Sequence, residues 1–299
     1  MDFVKEVFLD EVKYIFDENQ IYRGNVKNNL SNKFHKKMPK GANLRDLKNN
    51  KYHQINWETP YYEDTIIDFA KNVDKIKPII DIGCGDGRFI DTLINLGFKK
   101  IVCLDSDYRL LESLHSYSIN RGYRSNLLLI HSDADELPFK NNIFSLVLAI
   151  GVLYYLNEKE KGVLKKINSL LETDGILILG NPDIEGMIFR SLIFESLESS
   201  LDVFEKRCFT EGKEDKSFKF SVRSMNEQVY MLKETNFEVI DKQNITMFHN
   251  LLRILLVKEY INENQIRDNE DRLKKMFDFL HIEGKLAKHI IWKCIKKNE

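Results

Sequence analysis

The sequence predicts an α/β fold in which a mostly parallel sheet of seven strands carries helices on both faces, with a helical N-terminal cap and lid insertions. Three observations predict this class. From Pro78 onward, short runs of Ile, Leu and Val alternate with amphipathic stretches of about 10–15 residues, which is typical of parallel strands joined by crossover helices. A glycine-rich loop follows the first apolar run, and acidic residues follow the next two.

The first 60 residues are predicted to form the N-terminal cap, and residues 61–299 the core with its insertions. Apolar residues near the chain start repeat with helical spacing, namely Val4, Val7, Phe8, Val12, Ile15 and Phe16. A polar stretch rich in Asn and Lys follows, through Lys51. We therefore expect one helix in the cap and an irregular segment after it.

The elements of the core follow from the same alternation of apolar runs and amphipathic stretches. Strands are expected at about 78–82, 100–105, 126–131, 143–150, 175–180, 237–242 and 288–296, and helices at about 88–97, 107–121, 158–171 and 225–235. Two helix starts carry a capping residue three positions before a Glu: Asn157 with Glu160, and Ser224 with Glu227.

Two insertions interrupt the alternation, at about 183–223 and about 247–284. Each follows a strand of the predicted sheet, and ligands bind outside the carboxyl ends of strands in such sheets. We therefore expect the insertions to form the pocket for a substrate. The apolar stripe at 251–256 has a second interpretation, as the face of a homodimer.

The composition restricts the partners and the compartment. Lys and Arg number 45 against 46 Asp and Glu, so the net charge of -1 gives no bulk attraction to nucleic acid or to an anionic membrane. The four cysteines lack metal-ligand spacing and fit a reducing compartment. The most apolar run, 143–156, is shorter than the ~18 residues that span a bilayer, and no signal peptide is visible. We expect a cytoplasmic protein with no membrane span and no metal site.

The chemistry-bearing residues begin with the glycine loop, Asp81-Ile82-Gly83-Cys84-Gly85-Asp86-Gly87. Glycine lets the backbone turn sharply and approach a ligand closely. The dinucleotide fingerprint has its third glycine at the sixth position, where this chain has Arg88, so the spacing counts against NAD and FAD. Asp105, at the end of the second strand, is placed to accept hydrogen bonds from both hydroxyls of a ribose. Asp133 leaves the third strand, where it is placed to hold the exocyclic amine of an adenine.

Asp81 to Gly87 matches throughout the D-x-G-C/T-G-x-G pattern of the class I, Rossmann-like S-adenosylmethionine-dependent methyltransferases, and the chain resembles the members that act on small molecules. The phrase Asp135 to Phe139 is similar to the family's acidic residues before Leu-Pro-Phe. Gly175 stands where the family has two glycines, and Asn236 stands where it has one before Phe237. The resemblance covers about 55–182 well and 224–243 and 286–296 more loosely, and it leaves out the insertions.

The resemblance implies S-adenosyl-L-methionine as the cofactor. The residues implied to contact it are Tyr61, Asp81, Gly83, Cys84, Gly85, Gly87, Asp105, Ser106, Asp133, Ala134 and Ile150. Some have a structural alternative: Asp105 and Asp133 as ordinary caps of strand ends, and Tyr61 as a residue that packs the cap onto the core.

Methyl transfer is an in-line displacement, so most of the catalysis can come from holding the acceptor atom on the sulfonium axis. A general base is needed only for some acceptors. His249 and Tyr154 are the candidates for it, with Asp183 and His131 as further ones. For each of them, a structural hydrogen bond is the alternative interpretation.

The predicted function is therefore methyl transfer to an oxygen, nitrogen or carbon atom of a small molecule. The alternatives are a methyltransferase acting on RNA or protein, and an S-adenosylmethionine-binding protein without catalysis. No Asn/Asp-Pro-Pro-Tyr/Phe phrase follows the fourth strand, where Gly151-Val152-Leu153-Tyr154 stands. That absence disfavours methylation of planar nitrogens, and the neutral net charge disfavours nucleic acid as a partner.

Overall fold

A computed structural model describes residues 2–9, 15–24, 26, 54–211, 218–282 and 287–297. Its strands are β1 (Ile15–Phe16), β2 (Ile21–Arg23), β3 (Ile79–Ile82), β4 (Ile101–Asp105), β5 (Leu127–His131), β6 (Phe144–Ile150), β7 (Leu171–Pro182), β8 (Cys208–Glu211), β9 (Phe218–Ser221), β10 (Phe237–Thr246) and β11 (Ala287–Lys296). Its α-helices are α1 (Asp2–Val7), α2 (Gln54–Ala70), α3 (Ile90–Asn95), α4 (Tyr108–Asn120), α5 (Glu160–Leu170), α6 (Ile184–Phe194), α7 (Leu197–Lys206), α8 (Met225–Glu234), α9 (Phe248–Val257), α10 (Glu263–Asp268) and α11 (Glu270–Ile282).

The central sheet of the described residues has the strand order β1-β2-β5-β4-β3-β6-β7-β11-β10. Strands β2 to β7 run parallel to one another, while β10 and β11 are antiparallel to their neighbours. The seven predicted strands form the sheet from β5 to β10, so the predicted fold class is confirmed. Two short N-terminal strands, β1 and β2, extend it.

The burial of the strands explains why the sequence predicts their positions. All four residues of β3 are buried, as are the first four of β4 and of β5 and the first six of β6. Strands covered by helices on both faces carry continuous apolar runs. One apolar cluster, with Val102 and Leu164, fills the α5 and α8 side; the other, with Ile66 and Leu93, fills the α2 and α3 side. The carboxyl ends of the parallel strands consequently meet at one edge of the sheet.

The prediction of one helix over Val4 to Phe16 was wrong at its C-terminal end. Helix α1 ends at Val7, and Ile15–Phe16 pairs as a strand with β2. β2 in turn pairs in parallel with β5, which places Ile21 opposite Leu129. The fully buried Ile21 side chain and the covered edge of β5 account for the change, because an exposed sheet edge favours pairing with another segment.

Of the two predicted capping pairs, one is confirmed. Ser224 accepts a hydrogen bond from the amide of Glu227, and the Glu227 carboxylate accepts one from the Ser224 amide. Asn157 does not cap α5, because its backbone has the non-helical angles φ 51° and ψ -116° and its Nδ2 donates to Tyr155 and Lys219 carbonyls. Its predicted partner, Glu160, is fully buried and serves another contact.

Each insertion carries its own apolar cluster. In the first, α6, α7 and the β8-β9 hairpin pack Met187, Phe209 and Phe220 against Tyr154. In the second, α9 to α11 pack Leu252 and Phe277 against residues of α2 that include Trp57 and Tyr61. No helix among the described residues is long and apolar enough to cross a membrane.

A buried ion pair holds the first insertion to the core. The Arg223 Nη1 atom lies 2.6 Å from Glu160 Oε2, and Asn181 Nδ2 lies 3.0 Å from Glu160 Oε1. Removing one partner of such a pair leaves an uncompensated buried charge.

We expect Arg223→Met to lower the free energy of unfolding by about 3–5 kcal/mol, measured by urea denaturation. The double variant with Glu160→Gln should recover most of the loss; equal instability of single and double variants would contradict this account.

Candidate active site

The glycine loop is fastened to the end of β4 by backbone hydrogen bonds. The amides of Gly83 and Cys84 donate to the Leu104 carbonyl at 2.8 and 3.1 Å. Gly83, Gly85 and Gly87 adopt φ values of 74°, 57° and 88°, which only glycine adopts routinely. The loop therefore turns sharply at the carboxyl edge of the sheet, as the sequence predicted.

Asp81, at the end region of β3, is a buried carboxylate without a complete set of partners. Its side chain is 3% exposed, and Oδ2 has no hydrogen-bond partner among the described residues. Burial, with the nearby charge of Asp105, raises the pKa of Asp81 to about 7. Buried charges are normally paired, so this carboxylate is suited to a cationic ligand.

The Asp105 side chain, at the end of β4, binds the backbone of the glycine loop. Its Oδ2 accepts a hydrogen bond from the Gly85 amide, and its Oδ1 accepts one from the Asp107 amide, both at 2.8 Å. Burial raises the pKa of Asp105 to about 6, against the opposite effect of these two hydrogen bonds. Carboxylate oxygens accept more than one hydrogen bond each, so both retain capacity for the hydroxyls of a ligand.

The predicted residues of the next two strands lie along the same edge. The Ser132 amide donates to the Asp105 carbonyl at 3.1 Å, which brings the end of β5 beside that of β4. Asp133 and Ala134 follow it and are buried, Ser106 accepts a hydrogen bond from His131 Nε2 on its carbonyl, and Ile150 ends β6. The structure thus brings the predicted residues from Asp81 to Ile150 to one edge of four neighbouring strands.

Cys84 and Tyr61 have identified contacts within the protein. The Cys84 side chain is buried in the α2 side of the core, and its Sγ lies 3.5 Å from the Gly85 carbonyl oxygen. The Tyr61 hydroxyl donates to Asp278 of α11 at 2.7 Å, which ties α2 to the second insertion. This contact favours the interpretation of Tyr61 as a packing residue. Its contact with a cofactor stays a prediction.

Three side chains meet beside the loop: Tyr62, Tyr154 and His289, here called the histidine cluster. The sequence predicted Tyr154 as a candidate base and gave no signal for His289. The Tyr62 hydroxyl forms a hydrogen bond with His289 Nδ1, and the Tyr154 and His289 rings lie 6.3 Å apart. Tyr62 and Tyr154 are 1% and 5% exposed. His289 lies near the start of the antiparallel strand β11, opposite Pro182, so it too reaches the carboxyl edge.

Three charged side chains surround the histidine cluster. Glu58 accepts a hydrogen bond from Lys288 Nζ at 2.7 Å, and Arg88 lies above the Tyr62 ring at 4.6 Å. Burial alone would raise the pKa of Glu58, but the charges of Lys288 and Arg88 outweigh it and lower the pKa to about 2. Burial and the charge of Lys288 lower the pKa of His289 to about 3, so its ring is neutral at pH 7.

The candidate bases predicted from the sequence lie in different surroundings. Tyr154 belongs to the histidine cluster, whereas the side chain of His249, in α9, lies outside the described part of the chain. Asp183 caps α6 by accepting from the Glu185 amide, and His131 donates to the Ser106 carbonyl. Both of these have the structural hydrogen bond that was the alternative interpretation. No metal-binding group of His, Cys, Asp or Glu occurs among the described residues.

Part of the chain is similar to known methyltransferases. The family described as "Methyltransferase domain" matches residues 80–179. The ubiquinone/menaquinone biosynthesis C-methyltransferase UbiE of Wigglesworthia glossinidia brevipalpis is 26% identical over 183 residues, which are 58% of this chain and 70% of that protein. Residues 80–179 of this chain thus form a methyltransferase domain, and the chain is an S-adenosylmethionine-dependent methyltransferase.

Other relatives of this methyltransferase differ in their acceptors. A tRNA U34 carboxymethyltransferase of Campylobacter hominis is 27% identical over 37% of this chain and 38% of its own length. A malonyl-[acyl-carrier protein] O-methyltransferase of Legionella pneumophila is 31% identical over 35% of this chain and 36% of its own length. The chain therefore spans just over a third of the length of each of these two proteins. Because their acceptors differ, the comparisons leave the acceptor class open.

Solved structures agree on the fold of the methyltransferase. The Burkholderia thailandensis 1,6-didemethyltoxoflavin-N1-methyltransferase, crystallised with 1,6-didemethyltoxoflavin and S-adenosylhomocysteine, aligns with a TM-score of 0.52 at 12% identity. The alignment covers 85% of this chain and 88% of that one. The residues present also fit S-adenosylmethionine, because the unpartnered Asp81 oxygen suits a cationic group and the Asp105 carboxylate oxygens retain capacity for hydroxyl donors.

The Asp81 carboxylate is expected to lower the stability of the ligand-free methyltransferase while it raises the affinity for the cofactor. Its folded-state pKa of about 7 exceeds its ordinary value of 3.8, so the folded protein loses stability as the pH rises through this window. We expect Asp81→Asn to raise the free energy of unfolding of the ligand-free protein at pH 8 by about 1–3 kcal/mol, while cofactor affinity falls. Denaturation curves at pH 5 and pH 8 check this, and a variant less stable at pH 8 would refute it.

The close approach of Val152 to Gly83 can be tested by comparing alanine substitutions at Gly83 and at Gly122. A Cβ atom at Gly83 would meet Val152 Cγ2 at 2.7 Å and Val152 Cβ at 2.8 Å, whereas Gly122, with nearly the same φ of 73°, has nothing within 4 Å. Gly122→Ala should cost only the left-handed strain of about 1–2 kcal/mol. Gly83→Ala should cost about 1–3 kcal/mol more. Equal losses in thermal denaturation would mean that the loop moves to make room.

Proposed function

We propose that this methyltransferase transfers the methyl group of S-adenosylmethionine to a small-molecule acceptor, bound at the histidine cluster. The observation that carries the proposal is the position of Tyr62, Tyr154 and His289: next to the glycine loop, and covered by the first insertion through Phe220. Aromatic side chains with a few polar atoms are the usual lining of a small-molecule pocket.

For the cofactor, we propose the roles that the family resemblance implies. Gly83, Cys84, Gly85 and Gly87 line the methionine end, Asp105 binds the ribose hydroxyls, and Asp133 with Ala134 borders the adenine. To these roles we add Asp81, whose unpartnered oxygen would face the positive charge of the methionine end. The raised pKa values of Asp81 and Asp105 support this arrangement, since a cation and hydroxyl donors would stabilise both ionised carboxylates. The bound cofactor supplies an electrophilic methyl group on a sulfonium.

For the acceptor, we propose that the protein acts mainly by holding the nucleophilic atom in line. The Tyr154 ring packs at a tilt against Tyr155 and Phe220, at centroid distances of 4.3 and 5.0 Å, and this packing would fix the Tyr154 hydroxyl. Tyr154 is therefore the favoured candidate to bind the acceptor's hydroxyl or amine. His249 stays a candidate because the second insertion also follows a strand end of the sheet.

RNA is the second candidate acceptor, since some relatives are tRNA U34 carboxymethyltransferases. Two features favour the small molecule. The net charge of -1 supplies no general attraction to phosphate backbones. The first insertion lies against Tyr154, and such a cover suits an acceptor that the pocket can enclose.

Turnover is tested by formation of S-adenosylhomocysteine with fractionated small-molecule extracts and, separately, with total RNA. We expect product with a small-molecule fraction. Asp105→Ala should weaken S-adenosylmethionine binding at least about tenfold, the equivalent of one or more hydrogen bonds to a charged group. Asp174→Ala, an exposed acid at the opposite edge of the sheet, should bind normally.

The variants separate the parts of the proposal. Tyr154→Phe should lower turnover at least about tenfold and leave the dissociation constant of the cofactor unchanged. Turnover with RNA alone would replace the small-molecule acceptor by the second candidate. Cofactor binding without turnover in any fraction would favour the non-catalytic alternative.

A further inference from the structure

The charges around the histidine cluster do not balance. Glu58 is the carboxylate that Lys288 and Arg88 contact, at 2.7 and 3.5 Å. Arg88 also donates to the Thr59 hydroxyl at 2.9 Å, which is a neutral partner. Among the residues that the structure describes, two cations thus share one carboxylate, so Glu58, Lys288 and Arg88 together carry one surplus positive charge.

This surplus charge is largely removed from water. The side chains of Glu58, Lys288 and Arg88 are 5%, 13% and 17% exposed. A third cation, Arg190 of α6 in the first insertion, lies close enough to lower the pKa of His289 further. Cations removed from water are normally paired with acids, so this surplus charge is unfavourable for stability unless an anion binds beside it.

The surplus charge lies on the acceptor side of the site. Arg88 directly follows Gly87 of the loop, and its guanidinium lies over the Tyr62 ring. Lys288 directly precedes His289 in β11. An anion that neutralised Arg88 and Lys288 would therefore sit beside the histidine cluster, with its uncharged part toward Tyr154 and the first insertion.

We propose that the methyl acceptor is an acid, whose carboxylate or phosphate group binds beside Arg88 and Lys288. The proposal rests on the proposed function and names the chemical class of its acceptor. Arg and Lys both form strong charge-assisted hydrogen bonds to these groups, and the guanidinium can bind a planar carboxylate with two of them. The surplus charge of the group then selects acids over neutral compounds of the same shape.

Opposite changes of charge test the proposal. Benzoate and inorganic phosphate are titrated separately into protein saturated with S-adenosylhomocysteine, and binding is followed through the histidine ring shifts of ¹⁵N-histidine-labelled protein. Lys288→Gln removes the surplus charge and should weaken binding at least about tenfold. Glu58→Gln doubles the surplus and should strengthen binding by a similar factor. A purely structural role predicts weaker binding in both variants, which would overturn the proposal.

Two further variants serve as controls for this comparison. Lys293→Gln removes a cation of the same strand, which lies over the Phe69 ring at 5.5 Å and away from the cluster, and it should bind like the wild type. If Glu58→Gln does not fold, Lys288→Arg decides: retained anion binding in Lys288→Arg, beside its loss in Lys288→Gln, supports the charge. Loss in both would overturn it.

The carboxylate could instead be that of the cofactor's methionine end, and a separate arm distinguishes the two. Binding of S-adenosylmethionine and of decarboxylated S-adenosylmethionine is compared in wild type and Lys288→Gln. The proposal expects the variant to bind each like the wild type. Weaker binding of S-adenosylmethionine alone would assign the cations to the cofactor and overturn the acidic acceptor. Failure of the wild type to bind either compound would refute the proposed function itself.

Discussion

One peptide carbonyl, that of Leu104, organises the active site. It accepts hydrogen bonds from Gly83 and Cys84, and the side chain of the next residue, Asp105, accepts from Gly85. The loop after β3 is thus fastened to the end of β4, and the positive φ values of its glycines are the geometry that this fastening requires. The same contacts hold Asp105 close enough to Asp81 for its charge to raise the pKa of Asp81.

Two acids with raised pKa values, the buried Asp81 and the half-buried Asp105, carry a cost in stability. Desolvation and neighbouring negative charges disfavour their ionised forms, and the fold tolerates this because the sheet fixes both strand ends. Such violations of the rules for a stable core are expected at functional sites. In a methyltransferase they fit a cofactor that brings a positive charge and two ribose hydroxyls to the same place.

Much of this arrangement could be predicted from local sequence. Strands such as Ile79–Ile82 and Ile101–Asp105 are short buried runs, and the glycine loop and Asp105 follow them directly. The N-terminal strands could not be found in this way, because Ile21–Arg23 has only three residues and owes its conformation to pairing with β5. Asn157 matched a capping pattern, but Glu160 is held by Arg223, which is far away in sequence.

The histidine cluster depends on information that the sequence carries only weakly. Tyr61 and Tyr62 are neighbours on α2, and successive helical residues point about 100° apart. Tyr61 reaches Asp278, while Tyr62 reaches His289. His289 enters the site because β11 runs antiparallel, so the beginning of that strand lies at the edge where the parallel strands end.

The measurement that tests the central claim most directly is proton release on cofactor binding. S-adenosylmethionine is titrated calorimetrically into the protein at pH 6.5 in buffers of different ionisation enthalpy. Asp81 is partly protonated there in the free protein, given its pKa of about 7, so binding of a cationic ligand beside it should release a proton. Release that falls by more than half in Asp81→Asn would support the site described here, because the remainder then comes from Asp105, whose pKa is about 6. Tight binding without any proton release from the wild type would place the cofactor's charge elsewhere.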